Sequence, residues 1–517
     1  MKSSLTEKHL VAIFVVIKLL IHFFTYDNLE LHRDAYLYYA QSEHLAFGFI
    51  AVPPMIALIG KSATVLFGNT AFALRLFPAL IGAANLVIIG CAVKELGGKR
   101  TATFLACLAY ILSPSFLHSN ALCQPVSFNQ FFWLLSSYLM LLLVKKQDPK
   151  IWIWIGLVGG LGFLTKYSIV FIYAAFTLGL LLLKDRKLFL SKHFVMGLGL
   201  GLMIALPNLI WQYNHNWPVL THMEELRERQ LVHVGVLDFI VGQIMMNLQG
   251  ILLWLTAVIV LLFSKKEKHF RVFGLTYLFV ISLLILGSGK AYYALGIYPI
   301  LFAFGGVFVA KYAHQYLKVV VPLMVLHTCV SFAISLQFDG VPFVTFEDVY
   351  EQGGFKWEDG KYYDVPQDMA DMTGWRELAE AVKTVYLGLE EKERSETDIF
   401  CYHYGQAGAI MFYSDDLLPQ PICDNGSFIF WSPDSIAAQK IIWVHAGTGS
   451  DFNPEVELPK RFEHVILKAT IDNPYFRENG TQIYLCENPN KFWKDRMKQE
   501  LRAQKARYSR HHLPMSE

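Results

Sequence analysis

The chain has 517 residues, 54% hydrophobic and 15% aromatic, and only 17% charged, against about 25% in a soluble globular chain. With a mean hydropathy of +0.36, this composition excludes a purely soluble enzyme, a disordered chain and a nucleic-acid binder. The net charge of +2 hides a split, because residues 1–336 hold 26 Lys/Arg against 13 Asp/Glu while residues 337–517 hold 19 against 30, so two environments are expected.

A bilayer core of about 30 Å takes about 20 apolar residues as a helix. Eleven stretches meet that description in outline: 10–24, 76–93, 101–116, 128–144, 151–164, 168–183, 194–211, 239–263, 272–286, 293–310 and 319–336. No small-residue cleavage site follows the first, where Phe23, Phe24 and Tyr26 stand, so it reads as a retained helix rather than a signal peptide. The loops alternate in charge, with 18 Lys/Arg on the side of the amino terminus and seven on the other. The positive-inside rule then predicts a cytoplasmic amino terminus and, after an odd number of spans, an external tail from Gln337.

Within the first external loop, 56–67 is apolar but too short to span, and it follows Pro53 and Pro54. It predicts a helix lying in the interface. The tail predicts a compact α/β domain over 337–517, with a helix over 375–392 and strands over 398–404, 441–445, 464–471 and 482–486. Its basic, amphipathic end, 491–512, predicts a solvated helix or a membrane-surface contact. The seven cysteines have no metal-ligand spacing. Neither a zinc site nor a disulfide framework is expected, and burial as free thiols suits Cys401, Cys423 and Cys486 as well as pairing does.

Ionisable groups at membrane depth are functional candidates, and here they cluster on the external side. The first external loop runs His32-Arg33-Asp34-Ala35-Tyr36-Leu37-Tyr38-Tyr39. It suits an anionic or hydroxylated ligand, or else an ordinary loop with interfacial aromatics. Lys166 and Tyr167 fall between two closely spaced spans, and Lys290, Tyr292 and Tyr293 at a short outer connection. Lysine is a compact cation suited to phosphate and a tyrosine hydroxyl can donate to its oxygens, while either lysine alone is also consistent with snorkelling. Lys18, inside the first span, reads as a snorkelling residue. His215, between Trp211 and Trp217, reads as structural.

These residues together resemble a known family. The pairs Arg33-Asp34, Tyr38-Tyr39 and Pro53-Pro54 carry the likeness, with Gln124-Pro125-Val126-Ser127-Phe128, Leu164-Thr165-Lys166-Tyr167 and Pro207-Asn208-Leu209-Ile210-Trp211 through Trp217-Pro218. Lys290 with Tyr292-Tyr293 extends it, as do Gly374-Trp375 and Tyr404-Gly405-Gln406-Ala407-Gly408-Ala409 in the tail. The chain is similar to bacterial members of the dolichyl-phosphate-mannose-protein mannosyltransferase superfamily, family 39 membrane glycosyltransferases whose relatives include the lipid A aminoarabinose transferase. The resemblance implies a GT-C-like membrane domain over 1–336 and a periplasmic domain over 337–517, in a bacterial inner membrane.

It also implies inverting transfer of a sugar from a polyprenyl-phosphate donor to a lipid, glycan or protein acceptor on the outer side. The family's loop aspartate matches Asp34, the expected catalytic base. Arg33, Tyr38, Tyr39, Lys166, Tyr167, Lys290, Tyr292 and Tyr293 are expected to bind substrate, the lysines at the leaving phosphate. Two positions depart from the family: Ala35 and Asn129 stand where acidic residues are common. Losing the second carboxylate, at Asn129, weakens the case for a divalent ion, so no metal or other cofactor is expected. The competing readings are a lipid-linked sugar transporter or flippase, disfavoured by charges at the outer surface and the lack of repeated halves, and a non-catalytic envelope-binding scaffold, favoured by Ala35 and Asn129.

Overall fold

The computed structural model describes residues 6–336, 343, 345–350, 353–414, 417–446 and 452–510. The expected boundary at 336/337 falls at their edge, with 337 outside them, and residues 511–512 of the terminal helix lie outside them too. Among the described residues, sixteen α-helices build the first part. They are α1 (Glu7–Thr25), α2 (Arg33–Glu43), α3 (Met55–Phe67), α4 (Ala71–Glu95), α5 (Arg100–Ile111), α6 (Pro114–Ala121), α7 (Pro125–Lys146) and α8 (Ile151–Phe163), followed by α9 (Ile169–Leu181), α10 (Lys192–Asn214), α11 (Pro218–Arg229), α12 (Val236–Met246), α13 (Ile251–Phe263), α14 (Arg271–Leu286), α15 (Tyr298–Tyr312) and α16 (Leu317–Ser335).

Each of the eleven apolar stretches is largely helical. Among the described residues, seven helical segments are long and apolar enough to cross a membrane, and nine if two bent pairs each count as one span. The bends are 60° between α5 and α6 and 65° between α12 and the segment continuing into α13. Pro114 explains the first, because proline starts a helix readily but cannot continue the preceding one. The other two stretches, α8 and α9, have 13 residues each, about 20 Å of helix, short of a hydrocarbon core. The structure is thus a multi-pass helical membrane protein with seven to nine full-length spans.

Helix α8 packs against α10 backbone to backbone. A Cβ on Gly156 would lie 1.9 Å from the carbonyl oxygen of Gly197, and one on Gly197 2.1 Å from that of Trp152. Close approach through small residues supplies the van der Waals contact that holds helices together in lipid, where the hydrophobic effect does not. Helix α3 forms where the interfacial helix is expected, directly after Pro54.

The second part holds a hairpin, β1 (Phe355–Lys356) with β2 (Tyr362–Tyr363), and a four-stranded sheet of β3 (Thr397–Cys401), β4 (Lys440–His445), β5 (Phe462–Thr470) and β6 (Gln482–Pro489). The sheet order is β3-β4-β6-β5, parallel at β3/β4 and antiparallel elsewhere. Around it lie α17 (Phe346–Tyr350), α18 (Gln367–Ala370), α19 (Trp375–Leu387), α20 (Glu391–Arg394), α21 (Tyr404–Tyr413), α22 (Pro454–Glu457) and α23 (Lys491–Arg507). The helix expected over 375–392 stops at Leu387, followed by Gly388 and the separate turn α20.

One sheet face, with Ile399, Ile442 and Leu485, packs on Trp375, Leu378 and Val382 of α19. The same apolar cluster continues into Tyr36, Leu37 and Ala40 of α2 and Ile56 of α3. The membrane part and the sheet domain therefore share a core. The opposite face, with Phe400, Trp443 and Cys486, is covered by Trp493, Met497 and Leu501 of α23. The apolar stripe of α23 thus packs on the sheet, while the rest of the helix, Phe492 included, is largely exposed. Cys401, Cys423 and Cys486 are buried free thiols.

Candidate active site

The segment expected as the first external loop is largely helical, and that helix is α2. His32 caps it, its Nδ1 accepting from the backbone N–H of Asp34 at 3.1 Å, which places Asp34 in the first turn, where a negative charge suits the helix dipole. Ala35 explains itself in this setting, being 1% exposed and inside the shared core; a carboxylate there would be buried without a partner.

Asp34 lies where three groups of residues meet, and 29% of its side chain remains exposed. The first group comes from the sheet domain. Tyr404, at the start of α21, donates its hydroxyl to Asp34 Oδ1 at 2.6 Å. Helix α21 gets this near through its glycines: a Cβ on Gly405 would sit 2.7 Å from Arg33 Cγ, and one on Gly408 2.6 Å from the Tyr36 carbonyl oxygen. Burial and the Asp34 charge raise the Tyr404 pKa well above its ordinary value despite Arg33, so the phenol stays a donor. For Asp34, burial opposes the charge, but His32, Arg33 and the Tyr404 hydrogen bond outweigh it and hold the carboxyl below its ordinary value.

The second group is an ion-pair hub tying α2 to the loop before α19. Asp371, 1% exposed, accepts from Arg477 at 3.0 Å, with Arg33 Nε 3.6 Å away. His32 Nε2 lies 3.7 Å from both Asp371 and Asp368, and His118 Nε2 lies 3.6 Å from Asp368. Burial opposes a charge on His32, yet the carboxylates of Asp368, Asp34 and Asp371 raise its pKa above the ordinary value. His32, Asp368 and Asp371 present ligand atoms within 4.8 Å of one another, a geometry compatible with a metal ion. Arg33 and Arg477 at the Asp371 carboxylate oppose a further dication there.

The third group is cationic. Lys166 Nζ stands 5.4 Å from the Tyr292 ring centre and 5.3 Å from that of Tyr293, and the two rings meet edge to face at 4.7 Å. Burial, with the nearby Lys290 charge, pushes the Lys166 ammonium down to about 8 in spite of Asp34. Lys290 is engaged by Gln230 Oε1 at 2.7 Å and by Glu358. An anion binding between the lysines would relieve their mutual repulsion and restore the charge on Lys166.

The remaining expected residues are placed differently. Tyr38 lies within electrostatic reach of Asp34. The Tyr39 hydroxyl accepts from Asn69 at 3.0 Å and its ring meets Phe412, so it serves the domain junction. Tyr167 is held by Asn208 at 3.1 Å and Gln212 at 3.0 Å, bracing α10. His215 stacks on Trp211 at 4.0 Å and bonds its carbonyl at 2.8 Å, a structural role. Lys18 does not snorkel: it is 0% exposed, donates to the Phe116 carbonyl at 3.0 Å and sits over the Tyr110 ring. Asn129 is buried on α7 with its Oδ1 unbonded among the described residues.

Sequence reasoning missed Tyr404 as a site residue, although its motif was noted. It also missed His32, Asp368, Asp371, His118 and Arg477, and His222 of α11, which senses both Asp34 and Lys290. Most reach the site from far along the chain, with no local spacing to reveal them.

Comparison with known proteins agrees with this architecture. Residues 51–211 match the family described as dolichyl-phosphate-mannose-protein mannosyltransferase. The lipid A galacturonosyltransferase RgtD of Rhizobium johnstonii is 27% identical over 207 residues, 39% of this chain and 42% of that protein, so the match spans less than half of that relative. ArnT from Cupriavidus metallidurans superposes with a TM-score of 0.63 in its apo state, at 15% identity, over 92% of this chain and 97% of that one. Its crystal structure bound to undecaprenyl phosphate gives 0.61 at 14% identity with the same coverage. The chain thus shares the fold of ArnT, and its residues 51–211 are similar to the dolichyl-phosphate-mannose-protein mannosyltransferases.

Proposed function

We propose that this protein is a membrane glycosyltransferase that moves a sugar from a polyprenyl-phosphate donor to a lipid or glycan acceptor. The observation that carries the reading is that Asp34 accepts from a tyrosine of the sheet domain and lies within electrostatic reach of Lys166, itself near Lys290, in the membrane part. The ligand of the ArnT crystal structure, undecaprenyl phosphate, and the activity named for RgtD are of the same chemical class. The family match covers Lys166 and Tyr167 but not Asp34, Lys290 or the two tyrosines, so the roles of the latter rest on the geometry.

The mechanism follows from the charges. The Asp34 carboxylate takes the proton of an acceptor hydroxyl as its oxygen attacks the anomeric carbon. The bond from that carbon to the phosphate oxygen breaks on the opposite face, inverting the configuration. Negative charge grows on the departing phosphate, and Lys166 and Lys290 stabilise it there. Glu358 must release Lys290 for the phosphate to bind it. Tyr404 and Arg33 orient the base, while Tyr38 and the Tyr292/Tyr293 pair line the space for donor and sugar. The chemistry falls on the outer side of a bacterial inner membrane, with the amino terminus cytoplasmic, residues 1–336 as the membrane domain and 337–517 as the external one.

Purified protein in nanodiscs, given a panel of polyprenyl-phosphate sugars and a bacterial lipid extract, tests this reading. It predicts release of polyprenyl phosphate with the sugar appearing on a lipid or glycan. Donor binding without turnover for every sugar, or no donor binding, would contradict it.

A further inference from the structure

Lys290 is held by a carboxylate of the second part of the chain. Glu358 belongs to the hairpin of β1 and β2 and forms an ion pair with the Lys290 ammonium, whose other partner is Gln230 Oε1 at 2.7 Å. The hairpin is firmly seated. The Trp357 ring stacks on Tyr363 at 3.8 Å, the Arg477 guanidinium lies 5.3 Å from its centre, and its Nε1 donates to the Val365 carbonyl at 2.8 Å. The backbone N–H of Glu358 donates to Gln367 Oε1 at 2.9 Å. At the tip, a Cβ on Gly360 would come within 3.0 Å of His233 Nδ1. Glu358 therefore combines a fixed backbone with a side chain that can turn. A cavity of about 270 Å³ beside Lys290, lined by Gln230, His233, Asp238 and Trp357, gives its carboxylate room to turn into.

Sugar transfer changes the charge of what the lysines must hold. A polyprenyl-phosphate sugar is a phosphodiester and carries one negative charge. The polyprenyl phosphate left after transfer is a monoester, and with a second pKa of about 6 it carries about −1.5 to −2 at neutral pH. Two lysines that steady the departing phosphate therefore hold the product more tightly than the donor. How strongly they prefer the second charge depends on the net potential at the phosphate. Because the Glu358 backbone is pinned, its carboxylate stays close even when turned off Lys290, and it cancels part of the lysine potential. Asp34 and Asp368 also act on these cations. Among the described residues, however, Glu358 is the one carboxylate in ion-pair contact with either lysine.

We propose that Glu358 sets the selectivity of the phosphate site between the donor and the spent carrier, and so governs how fast the product leaves. The proposal rests on the transferase reading and adds to it a specificity-determining residue that touches none of the reacting atoms. Its carboxylate has two positions. On Lys290 it closes the empty site, as in this structure. With a phosphate bound it stands in the side cavity, where its repulsion falls more heavily on a dianion than on a monoanion. Departure of the monoester lets it turn back onto Lys290, which restores the starting arrangement without any further group.

Two readouts test this on the full-length protein in nanodiscs. The first needs no turnover and compares binding of undecaprenyl phosphate, a monoester, with binding of its methyl ester, a diester without sugar. Glu358→Gln keeps the shape and removes the charge, and near pH 7.5 it should tighten the monoester about tenfold more than the diester. Near pH 5 the monoester also carries about one charge, and the two ligands should respond alike. Asp238→Asn breaks the hairpin's other ion pair, to Lys356 at 3.4 Å, and should leave the ratio of the two affinities within about twofold of wild type. Equal tightening of both ligands by Glu358→Gln near pH 7.5, no tightening, or the same gain in Asp238→Asn overturns the proposal. The second readout is inhibition of transfer by added polyprenyl phosphate. Its inhibition constant should fall about tenfold in Glu358→Gln, with a burst of product ahead of a slower steady rate; an unchanged constant overturns the proposal. Failure of wild type to bind either ligand would instead overturn the transferase reading, and this proposal with it.

Discussion

Asp34 owes its character to neighbours on both sides of the domain junction. A single hydrogen bond to a charged group is worth about 1.5–3 kcal/mol, and Tyr404 supplies one at 2.6 Å. Tyr404→Phe should therefore cut kcat by about tenfold or more. It should also move the acidic limb of the kcat/KM profile to higher pH, because one of the effects that depress the Asp34 pKa is gone; an unchanged profile would assign Tyr404 to packing alone. Lys166 should set the opposite limb. Its ammonium loses its proton near pH 8, so kcat/KM for the donor should fall above that pH, and Lys166→Arg, with its far higher pKa, should remove the fall. These residue-scale roles were only half legible. The charged and aromatic residues of 32–39 stood out against an apolar chain, but nothing in the spacing of Tyr404 or Asp371 points at Asp34, some 370 and 337 positions away.

At the scale of elements, α2 is the hinge piece, with the sheet domain on one face and the membrane helices on the other. Gly408 meets the Tyr36 carbonyl with no room for a Cβ. Gly408→Val should lower stability by about 1–3 kcal/mol, read as a fall in Tm and earlier proteolysis between the two parts. The hub predicts a larger effect. Asp371→Asn leaves Arg477 and Arg33 facing a neutral group, a loss of about 3 kcal/mol or more, and an unchanged Tm would show the hub to be dispensable. His32 adds a pH dependence with a definite sign. Its pKa is raised in the fold, so its contribution is full below the ordinary imidazole value of about 6.5. That contribution is lost as pH rises through the raised value, and Tm should decline over that window in wild type but not in His32→Gln. The helix at 32–39 was not legible in the sequence for a physical reason: α2 is buried on both sides, so it lacks the one-sided apolar stripe by which a surface helix is recognised.

Across the whole molecule, the sequence distinguished two environments because lipid and water impose opposite compositions, and eleven apolar stretches indeed became helices. Their lengths were less legible. Two bends, one of them at Pro114, and the brevity of α8 and α9 leave seven to nine full spans, because hydropathy reports what a segment tolerates and not how far it travels. The strands of the tail were visible from β-branched and aromatic alternation. The continuity of the core from α2 into the sheet was not, since it joins residues that are hydrophobic in both settings. That continuity brings Tyr404 of the sheet domain into contact with Asp34 of α2.

The central claim is that Asp34 removes the acceptor proton during sugar transfer. Single-turnover transfer by wild type and Asp34→Asn, with donor binding measured in parallel, tests it most directly. Asparagine keeps the shape and loses the charge, so the chemical step should slow by a factor of about 10² to 10⁴ while the donor still binds between Lys166 and Lys290. Transfer by Asp34→Asn within a few-fold of the wild-type rate would contradict the account and place the base elsewhere.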